Sequence, residues 1–274
     1  MFGIRAVTSA LLVAATLATT SAAHSAADDA TLRTELERVS KLGIIFGHQS
    51  VGMNLLDGIK QLSEKAGIPV RIVEVKSANE VGKAMFGQTF LAENGDPLRK
   101  LGSFEQAMGQ KNANLDVALM KFCYIDFTES TDANVLFERY RATIDNLKVK
   151  YPATTFVHIT APLHIVEGGL TARMKYFFGI APLYGTLENM RREEYNALLR
   201  KAYQGREPIF DLARIESTAP DGAAVTVKWQ GKVVPVMAPE YTSDGGHLND
   251  AGKLRAARGM LSVLALIPNH RVAR

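Results

Sequence analysis

Three side chains far apart in the chain have the types that nucleophilic acyl chemistry uses: Ser50, Asp244 and His247. Asp244 and His247 stand three residues apart within YTSDGGHLNDAG, residues 241–252. A carboxylate at that spacing in a glycine-containing loop reaches the imidazole Nδ1, fixes its tautomer and leaves Nε2 facing outward. A serine hydroxyl set against that Nε2 becomes a nucleophile, because the ring takes its proton as the oxygen attacks a carbonyl. Read alone, the same loop is also a tight turn at Asp244-Gly245-Gly246 with Asn249 or Asp250 as a helix cap and His247 on the surface.

Ser50 lies in KLGIIFGHQSVG, residues 41–52. Leu42, Ile44, Ile45 and Phe46 form a nearly continuous apolar run, the pattern of a parallel strand buried on both faces. Beyond Gly47, His48 and Gln49, the residues Leu55, Leu56, Ile59 and Leu62 recur at helical spacing, so the chain turns from strand to helix at Ser50. The hydroxyl is thereby placed at the carboxyl end of a strand and at a helix amino terminus, where exposed N–H groups and the helix dipole favour developing negative charge. Serine is also a preferred N-cap, and the local pattern leaves both roles open.

The remaining elements must bring these segments together. A short helix is expected over 31–39, the first helix over 51–66, and strands over 69–75, 115–120, 155–160 and 208–212. Helices are expected over 133–149, 187–203 and 251–266, a hairpin around Gly231 over 225–236, and glycine-rich connections over 77–109 and 167–184. Strands alternating with helices give an α/β fold, a three-layer α/β/α sandwich with a mostly parallel, flavodoxin-like sheet of about five strands. Ligands bind at the carboxyl ends of such strands. Ser50, Asn94-Gly95 and the segment from Lys121 to Asp126 all fall there.

A serine after the first strand, with Asp-x-x-His just before the last helix continued as His247-Leu248-Asn249, resembles the SGNH hydrolases, also called GDSL-like esterases and lipases. The resemblance spans the chain from Ser50 to its last helix. It implies the three-layer fold, and Ser50 as nucleophile, Asp244 as acid and His247 as base of a serine esterase. The α/β-hydrolase elbow fits less well, since it would need glycine where His48 stands. The family's Gly-Asp-Ser is here His48-Gln49-Ser50, and its oxyanion asparagine is matched by Cys123, a poor donor. The Ser50 and Gly95 N–H groups are therefore the first expected oxyanion donors, with the Asn94 amide next and Lys121 and Tyr124 as further donors. His48 and Gln49 are expected to line the pocket or hold the loop. The resemblance implies a short acyl ester substrate, such as O-acetyl on a glycan. It leaves open an O-acyltransferase, and a carbohydrate-binding or scaffolding protein of the same fold with weak turnover.

Residues 1–27 carry Arg5, an apolar run and small residues around Ser25-Ala26-Ala27, the pattern of a cleavable secretory leader, so a secreted or periplasmic protein with one domain over 28–274 is expected. No stretch offers the roughly 20 apolar residues of a membrane span. The formal charge of +4 falls to +3 without Arg5, and bases are scattered among acids, which argues against nucleic-acid binding. The single cysteine, Cys123, has no partner for an intrachain disulfide, so the core must hold the domain. Among His48, His158, His164 and His247 no pair stands at a metal-ligand spacing such as HExxH, so neither metal nor cofactor is expected.

Overall fold

The structure, a computed structural model, describes residues 27–109 and 115–268. Apart from residue 27, which opens the first helix, the expected leader lies outside the described residues. Helix α1 covers 27–39, somewhat longer than the 31–39 that periodicity suggests. There follow β1 (Gly43–His48), α2 (Ser50–Ala66), β2 (Ile72–Glu74), β3 (Met85–Phe90), α3 (Pro97–Met108), β4 (Val117–Met120), α4 (Ala133–Lys150) and β5 (Thr155–Ile159). The chain continues through α5 (Leu170–Phe177), α6 (Thr186–Tyr203), β6 (Ile209–Phe210), α7 (Leu212–Glu216), β7 (Thr226–Trp229), β8 (Lys232–Pro235) and α8 (Asp250–Leu264).

Six parallel strands form one sheet in the order β2-β3-β1-β4-β5-β6, and β7 and β8 form a separate antiparallel hairpin. Without β2 this is the flavodoxin-like order, with β2 added at the edge. The pleat sorts the apolar residues to the two faces. Ile44 and Phe46, Val117 and Leu119, and Val157 and Ile159 pack on α1, α2 and α8, while Ile45, Ala118, Met120 and Phe156 pack on α3, α4 and α6. The inner strands β1 and β4 are covered on both faces, which is why they read as continuous apolar runs.

Two regions depart from the sequence pattern: residues 167–184, expected as a glycine-rich connection, contain the helix α5, and a strand lies in the other. Residues 77–109, expected as a long loop with short helices, contain β3 and the three-turn helix α3. The glycine that signalled a loop, Gly87, sits inside β3 because a Cβ there would stand 2.7 Å from Val81 Cγ2 and 3.1 Å from the Ile44 carbonyl oxygen. Asp96 caps α3 by accepting the Arg99 N–H at 2.9 Å, with Pro97 at its first turn. The added strand β3 pairs with β1 over six residues and so fixes the height at which β1 releases the chain to Ser50.

Candidate active site

Ser50 is the first residue of α2, and Gln49 takes the N-cap position with no side-chain capping bond. The serine hydroxyl does not cap the helix; its Oγ meets His247 Nε2 at 3.0 Å. On the other side of the ring, His247 Nδ1 meets Asp244 Oδ2 at 2.6 Å. Asp244 Oδ1 accepts the N–H groups of Gly246 and His247 at 3.0 and 2.8 Å and stands 3.3 Å from Thr242 Oγ1. Partial burial works to raise the Asp244 pKa, but these backbone bonds and His247 outweigh it and hold the carboxyl well below the ordinary carboxylate range. An ionised Asp244 accepts a hydrogen bond from His247 Nδ1–H, which leaves Nε2 as the acceptor for the Ser50 hydroxyl.

The loop holding Asp244 and His247 is pinned from three directions. Leu248 N–H donates to Asn54 Oδ1 on α2 at 3.1 Å, and Asn249 caps α8 by accepting the Gly252 N–H at 3.1 Å. Ile165 N–H, just after β5, donates to the Gly245 carbonyl at 3.0 Å. Gly245 adopts φ +94°, which favours glycine, and a Cβ on Gly246 would stand 2.4 Å from Tyr124 Cζ. The Tyr124 ring lies edge-on to His247 at 5.8 Å, and its centroid is 5.5 Å from that of the His164 ring.

The expected oxyanion donors fare differently. Gly95 N–H donates to Asp126 Oδ1 at 2.8 Å, so this donor is already committed. Lys121 is buried with Nζ on the Phe122 carbonyl at 3.0 Å, and burial lowers its pKa, so it does not reach an open site. Cys123 is likewise buried. Gln49 Nε2 donates to the carbonyls of Leu91 and Ala92 at 2.5 and 3.3 Å, which ties the loop after β3 to the turn carrying Ser50 rather than facing a ligand. His48 does not line a pocket. Its buried ring packs against Phe46 and Phe90 and fills the space left by Gly52, Nδ1 donates to the Gln49 carbonyl at 2.9 Å, and burial pushes its pKa down to about 4.

Three donors stay available. The Ser50 N–H, at the first position of α2, lies outside the helix ladder. Asn94 is exposed, with Oδ1 accepting Lys100 Nζ at 2.6 Å, so its Nδ2 is the end left over. The Tyr124 hydroxyl is half-buried, and desolvation raises its pKa, which keeps it protonated as a donor.

Residues that spacing did not single out hold this wall. Lys100 and Asp126 form a fully buried ion pair at 2.7 Å, and Asp126 Oδ2 also accepts the Cys123 N–H at 2.6 Å. Arg192 on α6 donates to the Tyr124 carbonyl through Nε and Nη2 at 3.1 and 2.8 Å and to Asn189 Oδ1 at 2.5 Å. Asn189 in turn holds both backbone groups of His164, accepting its N–H at 3.1 Å and donating to its carbonyl at 2.7 Å. Charges in α6 read as a solvated face; only the packing of α6 beside the strand ends reveals that Arg192 points inward. His158 is buried elsewhere, between Tyr140 and Glu207. Among the described residues no group of three or more His, Cys, Asp or Glu side chains is placed to hold a metal ion.

No protein-family model and no curated protein matches this chain. Solved structures do. A Streptococcus pneumonia protein named for platelet activating factor is 13% identical, with 91% of this chain and 99% of that one covered at a TM-score of 0.50. A GDSL-like lipase from Bacteroides thetaiotaomicron is 10% identical over 81% of this chain and 84% of its own, at 0.47. An acetyl xylan esterase is 16% identical over 80% of this chain and 98% of its own, at 0.46. At these identities the likeness is one of fold.

Proposed function

We propose that this chain is an exported serine esterase of the SGNH type that hydrolyses short acyl esters, carbohydrate O-acetyl groups among them. The observation that carries the reading is the unbroken run from Asp244 Oδ2 through His247 to Ser50 Oγ, at 2.6 and 3.0 Å, assembled from opposite ends of the chain. In this mechanism His247 Nε2 takes the hydroxyl proton as Ser50 Oγ bonds to the ester carbonyl carbon. The carbonyl oxygen becomes an oxyanion, held by the Ser50 N–H with Asn94 Nδ2 and the Tyr124 hydroxyl as further donors. His247 then protonates the leaving alcohol, and a water activated by the same ring releases the acid. Asp244 stabilises the imidazolium that forms in each half-reaction.

Export rests on the leader pattern of residues 1–27. The absence of the family's asparagine and the engagement of Gly95 with Asp126 favour a second reading, a glycan-binding protein with weak turnover. Hydrolysis of p-nitrophenyl acetate separates the two. Turnover by wild type that is lost in Ser50→Ala supports the esterase; ester cleavage unchanged by Ser50→Ala refutes the mechanism.

A further inference from the structure

Residues 165–185 leave the sheet after β5 and return to open α6. The excursion is closed at its base by an antiparallel pair, Glu167 and Tyr184, bonded in both directions at 3.2 and 3.1 Å. Its helix, α5, has no buried residue. Ala172 and Tyr176, one turn apart, are its two half-buried residues. Ala172 abuts Gly168, and the Tyr176 ring stacks on Trp229 of the hairpin at 5.8 Å while its hydroxyl exchanges hydrogen bonds with the Lys228 backbone.

The opposite stripe, Leu170, Met174 and Phe177 at i, i+4 and i+7, faces water with exposures of 79, 55 and 82%. Phe178 and Ile180 extend it at 67 and 70%. This is an amphipathic helix turned inside out: its apolar stripe points away from the core and its anchoring face is the polar-edged one. Apolar side chains exposed contiguously on one element mark a surface that is covered in use.

Charge identifies the cover. Arg173 and Lys175 flank the stripe on α5, Lys228 and Lys232 are exposed on the adjoining hairpin, and Glu167 is the one acid in residues 165–185. Of these cations, Lys232 pairs with Glu194 at 3.1 Å, and Arg173 Nε donates to the Gly168 carbonyl at 3.0 Å, an exposed bond that leaves its charge unneutralised. A second copy docked on this face through a two-fold axis would set Arg173 and Lys175 against their own equivalents. An anionic lipid surface satisfies both features, taking the apolar stripe into the acyl boundary and the cations at the headgroups. The helix of eight residues spans about 12 Å at 1.5 Å per residue, far short of a bilayer, so it lies on the surface.

We propose that α5 and the turn through Ile180 form an interfacial docking surface for anionic bilayers. Through Tyr184, whose ring lies 6.0 Å from His164, and through Ile165 on Gly245, the base of the same excursion touches the loop that carries Asp244 and His247, so docking brings the Ser50 site into the vicinity of the lipid surface. Adsorption does not depend on turnover.

Co-sedimentation with vesicles of phosphatidylglycerol and phosphatidylcholine, against vesicles of phosphatidylcholine alone, tests this. Wild type should pellet with the anionic vesicles and be released by high salt. The double variant Phe177→Ser/Phe178→Ser should partition at least about tenfold more weakly, and Arg173→Glu/Lys175→Glu should lose the preference for anionic lipid. Val149→Ser, which changes an equally exposed residue on α4, should bind as wild type. Circular dichroism of each variant reports its fold. Ser50→Ala should bind vesicles in full, which separates failure of docking from failure of the esterase reading. Equal partition of wild type and the double phenylalanine variant would overturn the proposal. So would a concentration-dependent dimer of wild type that this variant abolishes, since that assigns the stripe to self-association.

Discussion

On one side of Ser50, His247 and Asp244 hang from a single loop, with side chains 40 and 56% exposed. On the other, the segments after β3 and β4 turn their polar groups inward until little is left over. Lys100 Nζ binds both Asp126 oxygens and Asn94 Oδ1, and the same carboxylate takes the N–H groups of Gly95 and Cys123. The relay is shallow, local and complete. The wall opposite rests on a buried ion pair and is assembled from several segments. A relay needs only an ionised acid and a correctly held ring, which a short loop with two glycines supplies. A donor wall must hold N–H groups still, and here the buried Lys100–Asp126 pair fixes the segment while engaging the Gly95 N–H.

Breaking the relay should have the largest effect. His247→Ala is expected to lower kcat for ester hydrolysis by on the order of a thousandfold or more, with little change in thermal stability because the half-exposed ring lies outside the apolar core. Steady-state kinetics alongside a melting curve would measure both.

Breaking the wall should do the reverse. Asp126→Ala strands the Lys100 ammonium in the interior and should cost about 3–5 kcal/mol of stability, read from urea midpoints at unchanged m-value. Adding Lys100→Met should recover part of that loss, since it removes the uncompensated charge. A double variant no more stable than the single would mean that Lys100 is not the stranded group.

Asn94 is bound to the wall through Lys100 and is the oxyanion donor proposed from its outer end, so its variant sharpens the contrast. Asn94→Ala removes the one side-chain amide that the wall leaves facing outward. It should lower kcat by about a hundredfold with KM nearly constant, as loss of an oxyanion donor does. A loss of stability at unchanged kcat would place Asn94 wholly in the ion-pair network.

The same contrast explains what the sequence made legible. β1, the turn at Ser50, and Asp244 with His247 are encoded by neighbours in the chain: an apolar run, a change of period, a three-residue spacing. The strands β4 and β5, helices α4 and α6 and the β7–β8 hairpin are visible for the same reason. β3 was hidden because Gly87 is there for close approach to Val81 and Ile44, and a glycine beside Gln88 and Thr89 reads as a loop. The commitment of Gly95 to Asp126, the Lys100–Asp126 pair and the inward turn of Arg192 onto Tyr124 join residues 26 to 68 positions apart. No local pattern carries them.

The most direct test of the Ser50 relay is reaction of the purified protein with a fluorophosphonate, followed by mass-spectrometric mapping of the adduct. A single adduct on Ser50 in wild type, absent from both Ser50→Ala and His247→Ala, is the expected result. An adduct on another residue, or labelling of Ser50 that persists undiminished in His247→Ala, would contradict it.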